Sequence, residues 1–184
     1  MKMNIRKLVL GIGFTVGFPL AAHAGAGFEV TSKTFSDGQI IDSRHAAKGG
    51  PRNCDGENIQ PAMNWTNAPV GTKSFAIVTM DDVGRHGQGV IHWLHYNIPG
   101  DATGLAENSV PEGSTGGKNS IGKTAYFGPC PDVGDVPHHY EFMLLALDLE
   151  PGALEAGMDW PTLKQKVDGH TLGATSIVGR YARR

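Results

Sequence analysis

Most of the short-range signals that mark a catalytic or nucleotide-binding protein are missing from this sequence. No His-Glu-x-x-His or Cys-x-x-Cys spacing occurs, so the usual local signature of a zinc site is absent. There is no Gly-x-Ser-x-Gly nucleophile elbow and no phosphate-binding glycine loop leading into a helix. The stretch "GSTGG" at 113–117 is a glycine-rich loop without those flanks. Motifs therefore do not indicate an enzyme. Basic clusters are lacking too. The 16 Lys and Arg residues face 18 Asp and Glu, for a formal charge of −2, which argues against a nucleic-acid partner. Long runs with helical period are scarce, and cysteine is limited to Cys54 and Cys130.

What is present begins with a leader. "MKMNIRKLVLGIGFTVGFPLAAHA" has a basic start (Lys2, Arg6, Lys7), an apolar stretch from Leu8 to Leu20, and a small-x-small site at Ala22-His23-Ala24. This is the layout of a secretory signal peptide, and its apolar part is short for a bilayer span. The expectation is a signal peptide at 1–24, cleaved after Ala24, and one domain at 25–184, periplasmic or secreted. An uncleaved membrane anchor is the alternative, but no stop-transfer segment follows. Losing the three basic residues takes the formal charge from −2 to −5. In an oxidising compartment Cys54 and Cys130 read as one disulfide, closing a loop of about 75 residues and worth on the order of 4 kcal/mol. A catalytic thiol is the competing reading.

Glycine (26) and proline (11) are frequent, and the apolar segments are short. "FEVTSKTF" (28–35) alternates like a half-buried strand, whereas "KSFAIVTM" (73–80) and "YEFMLLALDL" (140–149) are apolar on both faces. In "IHWLHYNI" (91–98), strict alternation puts Ile91 and Trp93 on one face and His92, Leu94, Tyr96 and Ile98 on the other. "WPTLKQKVDG" (160–169) is the best helix, with Pro161 in its first turn and Gly169 stopping it, and "LGATSIVGRY" (172–181) is a closing strand. The connector at 99–122 is too long for an ordinary turn, so it reads as functional or mobile.

Two stretches offer chemistry. Asp81 and Asp82 end one buried strand, and His92 lies inside the next. Strand ends joined by a glycine loop are where a β protein shows polar groups to a ligand. The bland alternative makes Asp81 a turn cap and His92 a satisfied core histidine. The second stretch is "GKTAYFGPCPDVGDVPHHYEF" (122–142). Gly128, Pro129, Pro131 and Gly134 make a stiff turn, after which His138 and Tyr140 share one strand face and His139 takes the other. An imidazole beside a phenol suits hydrogen bonding to an anion. Histidines pointing opposite ways do not suit zinc, and no metal or cofactor is expected.

Three ordered motifs together resemble the phosphatidylethanolamine-binding protein family, in its bacterial Raf-kinase-inhibitor-like branch and the secreted YbcL type. They are "CDGENIQPAMNWTNAPVGTKSFAIVTMDD" (54–82), "HWLHYNIPG" (92–100) and "GKTAYFGPCPDVGDVPHHYEFMLLALD" (122–148). The resemblance implies a mainly β fold, with a large central antiparallel sheet, a second smaller sheet and short peripheral helices. It implies a small pocket for phosphate-like or carboxylate-like anions. Carried over by position, the ligand-binding residues are Asp81, His92, Gly128, Pro129, Pro131, His138 and Tyr140. His92 and His138 would donate to the anion and Asp81 would fix an imidazole tautomer. The family's secreted members also place cysteines at the positions of Cys54 and Cys130.

This chain departs from the family pattern in one loop, where Asp-Pro-Asp-Ala-Pro is replaced by Asp81-Asp82-Val83-Gly84-Arg85. A proline-fixed wall is expected to loosen there, while Arg85 and His86 add positive charge. Asp132 replaces a proline beside the cysteine, and its carboxylate is expected to repel an anion. The expected function is a secreted, non-enzymatic binding protein that takes a phosphate or phosphoethanolamine-like head group and modulates an unidentified protein target, such as a protease or kinase. The alternatives are a hydrolase or metal-dependent enzyme built on Asp81, His92 and His138, and a carrier of small lipids with a deep apolar cavity.

Overall fold

The two stretches that are apolar on both faces lie side by side at the centre of the structure. A computed structural model describes residues 27–184, so the leader at 1–24 lies outside the described residues. Ten strands follow in order: β1 (Glu29–Thr31), β2 (Lys48–Gly49), β3 (Cys54–Asp55), β4 (Met63–Thr66), β5 (Ser74–Asp81), β6 (Val90–Pro99), β7 (Gly104–Leu105), β8 (Thr115–Gly116), β9 (His138–Leu147) and β10 (Thr171–Tyr181). The central sheet is five-stranded, in the order β10-β9-β5-β6-β8, and its pairs are antiparallel. A three-stranded sheet, β1-β4-β7, and the small pair β2-β3 complete the fold, which is mainly β with few short helices.

Why β5 and β9 are apolar throughout is answered by what covers each face. Phe75, Ile77, Phe142 and Leu144 pack with Trp65 and Val30 of the three-stranded sheet. On the other face Ala76, Val78, Leu145 and Leu147 pack under Leu163 and Val167 of the helix Trp160–Val167. Each large apolar side chain so buried contributes roughly 1.5–3 kcal/mol. The helix starts as its sequence dictates: the Asp159 carboxylate caps the Thr162 amide at 3.0 Å, and Pro161 sits in the first turn.

Three expectations need correction. β1 stops at Thr31 instead of reaching 35, because the Ser32 hydroxyl bonds the Ala62 carbonyl and accepts from Thr34 N, which competes with a strand ladder. The 99–122 connector is tied to both sheets, with Leu105 paired to Met63 and Gly116 to His95. Strict alternation also fails in β6. Its register against β5 slips between Thr79 and Met80 and again between Phe75 and Ile77, so β6 carries an extra residue near His92 and another near Asn97. Ile98 consequently joins Trp93 in the core under the three-stranded sheet, while Leu94 and Tyr96 face the helix. Asn97, at φ 55°, supports the second bulge by bonding Thr115 Oγ1 and both backbone groups of Leu154.

Candidate functional site

At one end of the central sheet, alternation aims polar side chains where the core would otherwise continue. Asp81 follows Phe75, Ile77 and Thr79 on one face of β5, and His138 and Tyr140 precede Phe142 on the same face of β9. The bulge in β6 brings His92 to this face as well, edge-on to Tyr140 with ring centres 5.1 Å apart. Asp81, His92, Pro131, His138 and Tyr140 line a cavity of about 100 Å³. That is the volume of about three waters.

The hydrogen-bond roles are fixed by the acceptors. The buried Asp81 carboxylate accepts a hydrogen bond from His138 Nδ1 at 2.7 Å through Oδ2. Its Oδ1 accepts from Val83 N at 3.2 Å and Gly84 N at 3.1 Å. His92 Nδ1 donates to the Phe127 carbonyl at 2.7 Å, and the two rings lie nearly parallel, at 4°. Only Nε2 of either imidazole is left to meet a ligand, and that of His138 already lies 3.5 Å from Asp135 Oδ2. Burial pushes the His92 pKa down to about 4, against smaller opposing effects of the Phe127 carbonyl and Asp81. The His92 Nε2 is therefore a lone-pair acceptor near neutral pH, not the donor expected from sequence. Tyr140 is the donor: its hydroxyl is buried without a hydrogen-bond partner among the described residues, and burial raises its pKa, so the phenol keeps its proton.

Gly128 and Pro129 do not line the cavity. They form its backing: Gly128 N donates to Asn58 Oδ1 at 2.8 Å, and Ala47 N donates to the Pro129 carbonyl at 2.9 Å. A side chain at 128 would collide with the backbone of His45 and Ala46, which is why glycine stands there. In the loop that lacks prolines, Asp81 caps the backbone and the Arg85 guanidinium donates to the Ser120 carbonyl at 2.8 Å. Arg85 and His86 both adopt left-handed backbone, at φ 52° and 57°, a conformation that costs about 1–2 kcal/mol per residue. Both line the cavity. Gly84 lies against Val90, where an added Cβ would sit 2.7 Å from Val90 Cγ2.

Asp132 is a further correction to the repulsion expected of it. Its carboxylate pairs with Arg52 Nε at 3.0 Å, so the added negative charge arrives with a cation. Arg52, Phe127 and Asp135 line the cavity without having been singled out from sequence. A signal for Arg52 existed: it and Asp132 each lie two residues from a cysteine of the pair. Cys54 and Cys130 are joined in a disulfide with Cα atoms 6.0 Å apart, which overturns the catalytic-thiol reading. The bond fastens the β2–β3 pair to the Pro129–Pro131 turn. Arg183 adds to this, donating to the carbonyls of Arg52 at 3.0 Å and Asn53 at 3.1 Å. Among the described residues no three His, Cys, Asp or Glu side chains converge to hold a metal ion. Nor is any helix among them long and apolar enough to cross a membrane.

The family model described as phosphatidylethanolamine-binding protein matches residues 31–182. A UPF0098 protein of Methanothermobacter thermautotrophicus is 39% identical over 158 residues, covering 81% of this chain and 95% of its own. The UPF0098 protein YbcL of Escherichia coli is 36% identical over 177 residues, covering 92% of this chain and 96% of its own. The crystal structure of Escherichia coli YbcL, described as a member of the mammalian PEBP family, superposes with a TM-score of 0.79 at 30% identity, over 86% of this chain and 100% of that one.

Proposed function

The chain belongs to the phosphatidylethanolamine-binding protein family, and on that premise we propose that it is an exported, non-enzymatic binding protein for a phosphate or phosphoethanolamine-like head group, whose output is modulation of a partner protein. The observation that carries the reading is the Tyr140 hydroxyl, buried and unpartnered in a small polar cavity rimmed by Arg85. An orphaned buried hydroxyl costs about 1–3 kcal/mol, and an anion oxygen in the cavity would recover that cost. Arg85 supplies positive charge; among the described residues it meets the Ser120 carbonyl and no carboxylate. The ligand also needs a proton to give, because the neutral His92 Nε2 accepts. A hydrogen phosphate or phosphate monoester monoanion has both an O⁻ for Tyr140 and Arg85 and an O–H for His92. A cavity of about 100 Å³ suits a head group better than a carried lipid, since drug-sized sites run from about 300 Å³ upward.

The oriented Asp81–His138 pair is the one observation that favours an enzyme, since a carboxylate fixes the tautomer of a general base in the same way. His138 Nε2 faces Asp135, however, and among the described residues no serine or threonine lines the cavity, while Cys130 is tied up in the disulfide. The binding reading is tested by calorimetric titration with inorganic phosphate and phosphoethanolamine, using wild type and Tyr140→Phe. Wild type should bind saturably, and the variant should lose roughly tenfold in affinity, the worth of one hydrogen bond to a charged group. Its thermal midpoint without ligand should be no lower, because the change deletes an unsatisfied polar atom. Equal affinities for the two proteins would remove Tyr140 from the site, and no binding by wild type would end the head-group reading.

A further inference from the structure

Beside the polar cavity, and sharing a wall with it, lies a second depression of a different character. Its volume is about 240 Å³, and it opens between the Gly49–Arg52 turn on one side and Ile121 and Phe127 on the other. Arg52, Arg85, Val90, Phe127 and Cys130 line both spaces. Phe127 stacks on His92 while also lining the groove. The groove is otherwise walled by Gly49, Gly50, Pro51 and Ile121.

Two features mark this groove as more than a crevice. Ile121 is half-exposed, and it is held in place: Asn119 Oδ1 accepts from both Ile121 N and Lys123 N, closing a tight turn that carries the isoleucine at its tip. The charges are also divided between the two spaces. The polar cavity contains the carboxylates of Asp81, Asp132 and Asp135, whereas the groove has two arginines and no carboxylate in its lining. Both of those arginines belong to the shared wall. Arg52 is paired with Asp132, which leaves Arg85 as the cation free of a carboxylate partner among the described residues. The groove is therefore apolar along its length and positive where it meets the polar cavity.

We propose that this groove is the second half of the ligand site, and that the ligand is a phosphate monoester with an apolar substituent. The anion sits at the junction under Arg85 with its oxygens toward Tyr140, and the substituent lies along Pro51, Ile121 and Phe127. This rests on the head-group reading above and adds the chemical class of the group attached to the anion. The far wall of the groove is fastened by the Cys54–Cys130 bond and by Arg183, so the space exists before any ligand arrives.

The test compares methyl phosphate with hexyl phosphate and phenyl phosphate by calorimetry, on wild type and on Ile121→Asn. The three probes share one head group, so differences report on the groove. The expected result is a gain of roughly tenfold for at least one of the larger esters, as follows when two or three added methylenes, or a ring, leave water. Whichever ester gains more identifies the substituent as a flexible chain or a flat ring. In Ile121→Asn the gain should shrink to about twofold or less while methyl phosphate binds as before, because residue 121 lies outside the polar cavity. Equal affinities for all three esters would overturn the groove and leave the head-group reading standing. A gain that survives Ile121→Asn would also overturn it. If methyl phosphate itself fails to bind, the head-group reading falls and takes this inference with it.

Discussion

His92 is the residue whose role changes most between the sequence and the structure. A histidine in an anion site reads as a donor, but here Nδ1–H donates to the Phe127 carbonyl and burial keeps Nε2 bare. Two consequences follow at this scale. Methyl phosphate should bind several-fold more tightly at pH 5.5 than at pH 8. His92 stays neutral at both values, but a phosphate ester has a second pKa of about 6 and loses the proton that His92 accepts. Titration at the two pH values checks this, and tighter binding at pH 8 would assign His92 another role.

Stability has its own dependence on pH. Burial holds the pKa of both His92 and His95 at about 4, below the ordinary value of 6.5. Around His92 stand Asp81, which opposes the shift, and His138, which adds to it. Between pH 6.5 and 4 the unfolded chain binds protons at these positions that the folded chain does not. Stability therefore rises with pH across that window and is fully present above 6.5. Each histidine contributes a slope of about 1.4 kcal/mol per pH unit. Urea unfolding at pH 4.5 and 7 should show the loss, and His95→Gln should lessen it.

At the scale of the element, the four long strands and the helix were legible because each is a short run of strand or helix formers bounded by turn residues. β5 and β9 are apolar on both faces, and 160–167 has a capping Asp, an early Pro and a terminal Gly. Leu163, wholly buried on that helix, should cost about 2–5 kcal/mol when changed to alanine, read from a urea midpoint shift at constant slope. What periodicity hides is the bulge. Nothing local to "IHWLHYNI" distinguishes two extra residues from a regular strand, because the slip is defined only against β5. Yet the slip near His92 brings that ring to the site, and the one near Asn97 returns Ile98 to the core. The two-residue strands β2, β3, β7 and β8 were equally hidden, since each is a strand only by virtue of its partner.

For the whole molecule, family resemblance found the residues that sit on the ends of β5, β6 and β9, whose motifs are contiguous. It did not find Arg52, which lies outside the three motifs and reaches the cavity only after distant segments converge, nor Phe127 and Asp135, which lie within the third motif but at positions the resemblance gave no role. The disulfide is the strongest of those long-range ties. Replacing both Cys54 and Cys130 with serine should lower stability by about 2–5 kcal/mol. The same variant, kept folded at low temperature, should bind phosphate more weakly, because the turn carrying Pro131 loses its fastening to β3. Unchanged affinity would show that the remaining hydrogen bonds hold that turn alone.

The Arg183 side chain reaches back across more than a hundred positions to hold the backbone of residues 52 and 53, and its carbonyl accepts from Gly134 N at 3.1 Å. A chain synthesised from its N-terminal end thus has Tyr140 and both histidines long before it has the clamp on their rim. The clamp is therefore the last of these parts to be made, and it can join residues 52 and 53 only after the strand that ends at Tyr181 is complete.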